Sequence, residues 1–146
     1  MPFVSTERHK HPYFAQANNA TDLKDIELLL QTIRTLPIDL RLKKKILNHT
    51  IWLVAEVSGN FQARYRSAGV LETTGVPIQR DHVFPRKRLV EELLLPEANV
   101  SSVVERSQCC IVTVEEHTLL TKVPRQFSGW ERYKQAGITV HDMQEL

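Results

Sequence analysis

Apolar positions change their spacing several times along this chain, and each change marks a predicted element. Ile26, Leu29, Leu30 and Ile33 recur at i, i+3, i+4 and i+7, the repeat of one helix face. Thr21 and Asp22, just upstream, are N-cap residue types whose short side chains accept hydrogen bonds from first-turn amides. The repeat stops at Leu36-Pro37, because proline disfavours helical geometry in the residue before it. A second helix is predicted from Asp39 to about Val57, with Leu40 and Leu42 near its start and Ile46, Leu47, Ile51, Val54 and Val57 as its stripe. Ser58-Gly59-Asn60 is its stop signal. The short connection at Pro37 predicts an antiparallel pair. Residues 1–20 read as an irregular lead-in, with His9, Lys10, His11 and Pro12 expected on a solvated arm.

Beyond Phe61 the texture changes. Residues 62–67 alternate weakly, residues 72–75 form a turn, and Val76 to Val83 reads as a strand broken by Phe84-Pro85. Short helices are expected over 88–95 and 99–106, separated by Pro96. Residues 109–114 form the strongest strand, apolar and β-branched. A helix follows it, with Thr113 as cap and Glu115 and Glu116 favoured in the first turn by the helix dipole. The last expected pieces are a helix over 129–135, closed by Gly137, and an extended stretch over 138–140. There is no internal repeat.

Composition narrows the class without choosing a function. With 146 residues, 42% hydrophobic and 25% charged, the chain has the make-up of a folded domain. No apolar run approaches the ~18 residues of a membrane span, and the first eleven residues lack the apolar stretch of a secretory signal, so a cytoplasmic location is expected. The adjacent pair Cys109 and Cys110 strains against bridging itself and has no third cysteine to join. Two reduced thiols on opposite faces of a strand are expected, and no CxxC supports a zinc site. The net charge is only +2, yet between residues 39 and 90 ten basic residues stand against four acids. A basic middle with acidic flanks suggests a polyanionic partner, and Lys43 to Lys45, Arg64 and Arg66 are candidates to extend a basic track.

Candidate chemistry gathers at Arg80-Asp81-His82-Val83-Phe84-Pro85, the 109–114 strand and Glu115-Glu116-His117. A strand ending in Asp-His, a second strand and a helix carrying a histidine can bring a carboxylate and an imidazole together on one divalent ion. Asp81 offers oxygen and His117 nitrogen, a mixed set that suits Mg²⁺, Mn²⁺, Zn²⁺ or Ni²⁺ without choosing among them. His82 is then available as a base, since a free imidazole titrates near pH 6.5. A purely structural reading is also open, in which Asp81 and His82 cap a turn and His117 is an ordinary surface residue. P-loop, dinucleotide, nucleophile-elbow and zinc-deaminase patterns are absent.

Asp81-His82-Val83 with Pro85, then residues 110–113 and Glu116-His117, resemble the HNH nucleases, the ββα-metal or His-Me finger endonucleases. The resemblance covers about Val76 to Leu120. It implies metal-dependent hydrolysis of a phosphodiester in DNA, with His82 activating water and Asp81 and His117 as metal ligands. The family's middle residue has no sure counterpart, and Asn99 and Thr113 are the candidates. Arg80, Arg86 and Lys87 flank the Asp-His pair as expected phosphate contacts. The expected architecture is α+β, a single domain over 1–146. It comprises an N-terminal helical pair (21–58) packed on a ββα-metal finger (62–122), and an extension (123–146) carrying a short helix. The alternative function is a non-catalytic nucleic-acid-binding or protein-interaction module on a degenerate HNH fold.

Overall fold

The computed structural model describes residues 3–14, 18–57 and 62–144. In chain order the elements begin with a 3-10 turn (Glu7–Lys10), α1 (Asn19–Arg34), α2 (Leu40–Glu56), β1 (Tyr65–Ser67), α3 (Ala68–Glu72) and β2 (Ile78–His82). They continue with α4 (Arg86–Leu93), α5 (Val100–Arg106), β3 (Cys109–Thr113), α6 (Val114–Thr121), α7 (Trp130–Gln135) and β4 (Val140–Asp142). The architecture is α+β, with a four-stranded mixed sheet. Among the described residues no helix is long and apolar enough to cross a membrane.

The chain divides into two compact units. A helical unit takes Ala15–Gly59 and Phe84–Gln108, and a sheet unit takes Met1–Phe14, Asn60–Val83 and Cys109–Leu146. The sequence reading assigns the whole of 62–122 to one core. In the structure the connection between β2 and β3 instead joins the helices, because Leu89, Leu93, Val100 and Val103 bury their side chains with Leu30, Ile33, Leu47 and Ile51.

Within the helical unit, Asp39 caps α2 by accepting from the amides of Arg41 (3.0 Å) and Leu42 (3.3 Å). α1 starts earlier than Thr21 suggests, at Asn19, and ends at Arg34 ahead of Pro37. The proposed stop at Ser58-Gly59-Asn60 lies outside the described residues. α4 begins at Arg86 rather than Arg88, because Pro85 is its N-cap and its carbonyl already accepts from the amides of Arg88 (3.1 Å) and Leu89 (3.2 Å). Side chains then tie the helices together. Arg34 donates from Nε to the Leu93 carbonyl (2.7 Å) and from Nη2 to the Leu95 carbonyl. Arg106 grips Glu92 through both terminal guanidinium nitrogens (2.8 and 2.5 Å), linking α5 to α4.

In the sheet unit the strand order is β2-β3-β1-β4, with β2–β3 and β1–β4 antiparallel and β1–β3 parallel. β3 is interior, which is why Cys109 to Val112 are all buried and read as one apolar run. α3 is a single turn entered directly from β1, with Ser67 accepting from the Val70 amide (3.2 Å). A turn this short carries no periodicity, so the sequence reading missed it. β4 begins at Val140, two residues beyond the expected start of the extended piece.

The N-terminal segment is tied to the sheet rather than free, although His11 and Pro12 are exposed as expected. The Ser5 amide donates to the Val76 carbonyl and the Gly75 amide to the Ser5 carbonyl (both 2.8 Å), laying the segment beside the start of β2. His9 is buried. Arg66, expected on a basic track, is also buried, and its Nη1 donates to the carbonyls of His9 (2.6 Å) and His11 (2.7 Å). Arg64 is likewise engaged, in a two-pronged pair with Asp142 (2.7 and 2.6 Å) that clips β4 beside β1. The sheet unit thus spends two of its cations on its own backbone and edge.

Two outcomes follow. Arg66→Gln removes charged donors from buried carbonyls and lowers stability by about 2 kcal/mol. Denaturant unfolding measures the loss, and faster amide exchange over residues 9–13 locates it. In the helical unit, the Arg106 hydrogen bonds hold the Glu92 carboxyl below its ordinary value of 4.5. A depressed carboxyl stabilises above its unfolded pKa and loses that contribution as pH falls through the folded one. Glu92→Gln is therefore less stable than the parent at pH 7, and the gap narrows as pH falls below 4.5 toward the depressed folded value. A gap that keeps its pH 7 size throughout acid titration would contradict the assignment.

Candidate active site

Register brings the ends of β2 and β3 together, with Asp81 opposite Cys110 and His82 opposite Cys109. α6 leaves β3 without a loop, its first turn locked by a reciprocal cap. Thr113 Oγ1 accepts from the Glu116 amide (3.1 Å) and Glu116 Oε1 accepts from the Thr113 amide (2.9 Å). Ser67 Oγ donates to the same carboxylate (2.5 Å). Gly69 completes the cradle, since a Cβ there would lie 2.8 Å from Glu116 Oε1. Glu116 is therefore the anchor of α6, and the next residue, His117, is set over β2.

His117 Nε2 lies 3.6 Å from Asp81 Oδ1, and the Gln79 side-chain amide lies 3.5 Å from the same nitrogen. Gln79 and Asp81 are two residues apart on β2 and so share a face of the sheet. The structure thus brings together the two residues expected to bind metal. Their separation is long for a direct hydrogen bond. It is close to the roughly 3–3.5 Å between two atoms that each sit about 2.1 Å from one ion.

Asp81 is almost fully buried, and its main partners come from α7. Arg132 donates from Nη1 to Oδ2 (2.8 Å) and from Nη2 to Oδ1 (3.1 Å), and the Tyr133 hydroxyl donates to Oδ2. An ionised carboxylate has about four lone-pair sites. Oδ2 uses both of its own, and Oδ1 keeps one, on the oxygen nearest His117. Burial, then the neighbouring Cys110 and Asp81, push the Tyr133 hydroxyl far above its usual range, so it stays protonated and donates. Burial followed by Asp81 raises Cys110 in the same way, which keeps it a thiol.

α7 is aimed at Asp81 by its entry. Gly129 sits at φ 63°, ψ −148°, a conformation open essentially to glycine alone, and its amide donates to the Val83 carbonyl (3.1 Å). Trp130 stands edge-on to both Tyr65 (4.8 Å between centroids) and Tyr133 (5.3 Å), holding the helix against β1.

The other expected site residues are placed as follows. His82 is half-buried at the end of β2, and its carbonyl faces Arg132 Nη1 (3.4 Å). Strand alternation starts its side chain toward the sheet face opposite Asp81. Arg80 is half-buried opposite Ile111. Arg86 and Lys87 belong to the helical unit, at the start of α4. Both candidates for the middle position serve as helix caps. Asn99 accepts from the Ser102 amide (3.0 Å) in the helical unit, and Thr113 caps α6. Among the described residues no group of three or more His, Cys, Asp and Glu side chains converges as a metal site. Arg132, Tyr133 and Gln79 were not found from the sequence. The only signal for the first two was the buried acid's need for donors, which does not say where along the chain they lie.

Comparisons with protein-family models, with curated proteins and with solved structures found no match for this chain.

The Asp81–Arg132 pair sets a clear expectation. Arg132→Gln strands a buried carboxylate and destabilises by about 3 kcal/mol or more, whereas Tyr133→Phe costs about 1–2 kcal/mol. The Asp81→Asn/Arg132→Gln double variant recovers part of the Arg132 loss in denaturant unfolding. Strict additivity of the two single changes would contradict the pairing.

Proposed function

We propose that this chain is a metal-dependent endonuclease of the HNH type that hydrolyses phosphodiester bonds in DNA. The observation that supports this reading is the 3.6 Å approach of Asp81 Oδ1 and His117 Nε2 on a strand–strand–helix arrangement of β2, β3 and α6. Asp81 Oδ1, with its open lone pair, and the imidazole Nε2 of His117 would hold a single hard or borderline divalent ion. When bound, Mg²⁺, Mn²⁺, Zn²⁺ or Ni²⁺ supplies charge neutralisation at a phosphate oxygen and at the leaving oxyanion.

The protein's own groups carry the rest. His82 is the assigned acceptor of the attacking water's proton, although its side chain leaves β2 toward the face opposite Asp81, and Arg132 with Tyr133 holds the Asp81 carboxylate in one orientation. Arg80 in the sheet unit, and Arg86 and Lys87 in the helical unit, contact phosphates without reading bases.

A second reading has its own support. Arg132 already neutralises Asp81 and occupies lone pairs on both of its oxygens, which opposes a dication at the same carboxylate. This favours a nucleic-acid-binding or protein-interaction module that keeps the arrangement without catalysis.

Plasmid nicking separates the two. The expected result is nicking with at least one of the four ions, abolished by EDTA and reduced at least 100-fold in His82→Ala and His117→Ala. Undiminished activity in His82→Ala overturns the nuclease assignment. Salt-dependent DNA binding without cleavage under any ion establishes the second reading.

A further inference from the structure

We infer that the helical unit carries its own binding site for the phosphodiester backbone of nucleic acid, in a cleft between α2 and the start of α4. The inference rests on the nucleic-acid part of the proposed function and is independent of the Asp81–His117 pair. The cleft has a volume of about 510 Å³. Lys44 and Asn48 line it from α2, and Pro85, Arg86, Lys87 and Glu91 from α4. Lys44, Asn48 and Trp52 follow one another at i, i+4 and i+8, so they share one face of α2.

Three features make this a site for an anion. Lys44, Arg86 and Lys87 face a single carboxylate, Glu91, and among the described residues none of the three cations is in an ion pair. Three cations against one carboxylate make the cleft wall net positive, which attracts a polyanion. Arg86 is also held in position, its guanidinium carbon 4.5 Å from the centre of the Trp52 ring. A stacked guanidinium keeps its planar fork of donors while losing little further freedom on binding. Finally, Pro85 gives α4 no side-chain cap, which leaves the positive end of the helix dipole uncovered in the cleft wall.

The donor set indicates which anion. Two lysines, one arginine and an amide, set on two helices, match the oxygens of successive phosphates and sugars. The Trp52 ring carries Arg86 and is not free to stack on a base, so binding is expected to ignore sequence. Lys44 and Asn48 belong to this site alone, which separates it experimentally from the proposed catalytic residues.

The test is fluorescence anisotropy of the full chain with a short labelled DNA duplex in EDTA, titrated with salt. The parent binds with an affinity that falls as salt rises. Lys44→Gln weakens binding and flattens the log–log salt slope by about 0.9, the value of one phosphate contact on duplex DNA. K44Q/R86Q/K87Q flattens it by about 2.7. Lys24→Gln, an exposed cation on α1, leaves affinity and slope unchanged. Parental affinity and slope in the triple variant overturn the inference, as does a parent that shows no salt-dependent binding. Displacement of the duplex by polyglutamate as readily as by unlabelled duplex also overturns it, in favour of an acidic protein partner. Binding with these signatures but no nicking counts against the catalytic reading alone. Nicking with an unaltered K44Q slope counts against this site alone.

Discussion

A carboxylate withdrawn from water is tolerable only if its charge and lone pairs are met, and Asp81 is met by a guanidinium fork and a phenol from one short helix. That requirement organises the sheet unit. It draws α7 to the end of β2, makes the Gly129 conformation necessary at the helix entrance, and seats the Trp130–Tyr133–Tyr65 aromatic contacts beside β1. It also aligns the carboxylate, leaving one open position on the oxygen nearest His117. The same interaction is therefore both the support of the candidate site and the argument against a tightly held dication there.

α6 is positioned by a second, separate device. Glu116 accepts from Thr113 and Ser67 and fills the space above Gly69, so the first turn of the helix is fixed to β3 and α3 together. His117 inherits its position from that anchor. Adjacent acids at a helix start ordinarily report only on the dipole. Here one of the two, Glu116, is a structural tie, and the other, Glu115, is exposed.

The basic middle of the chain resolves into three physical roles. Arg66 and Arg64 are consumed by the fold, one on the carbonyls of the N-terminal segment and one on Asp142. Lys43 reaches the Arg34 carbonyl (3.3 Å). Lys44, Arg86 and Lys87 line one cleft and, among the described residues, stand outside any ion pair. Net charge counted along the sequence could not separate these roles, because charge alone does not say which cation finds a carbonyl or a carboxylate.

Local rules sufficed for much of the molecule. Apolar periodicity and caps predicted α1, α2 and α6, and the β-branched run predicted β3, because those signals act within a few residues. The order strand, strand, helix around Asp81-His82 and His117 was legible for the same reason. Contacts between distant residues were not legible. Arg132 and Tyr133 lie some fifty residues from Asp81, the N-terminal segment sits beside residues seventy positions away, and the helices between β2 and β3 join the N-terminal pair. A sequence states which residues need partners, since burial of charge and unpaired amides costs free energy anywhere. Only the tertiary structure decides which partner is used, because that choice depends on which of several suitable donors the packed elements carry within about 3 Å.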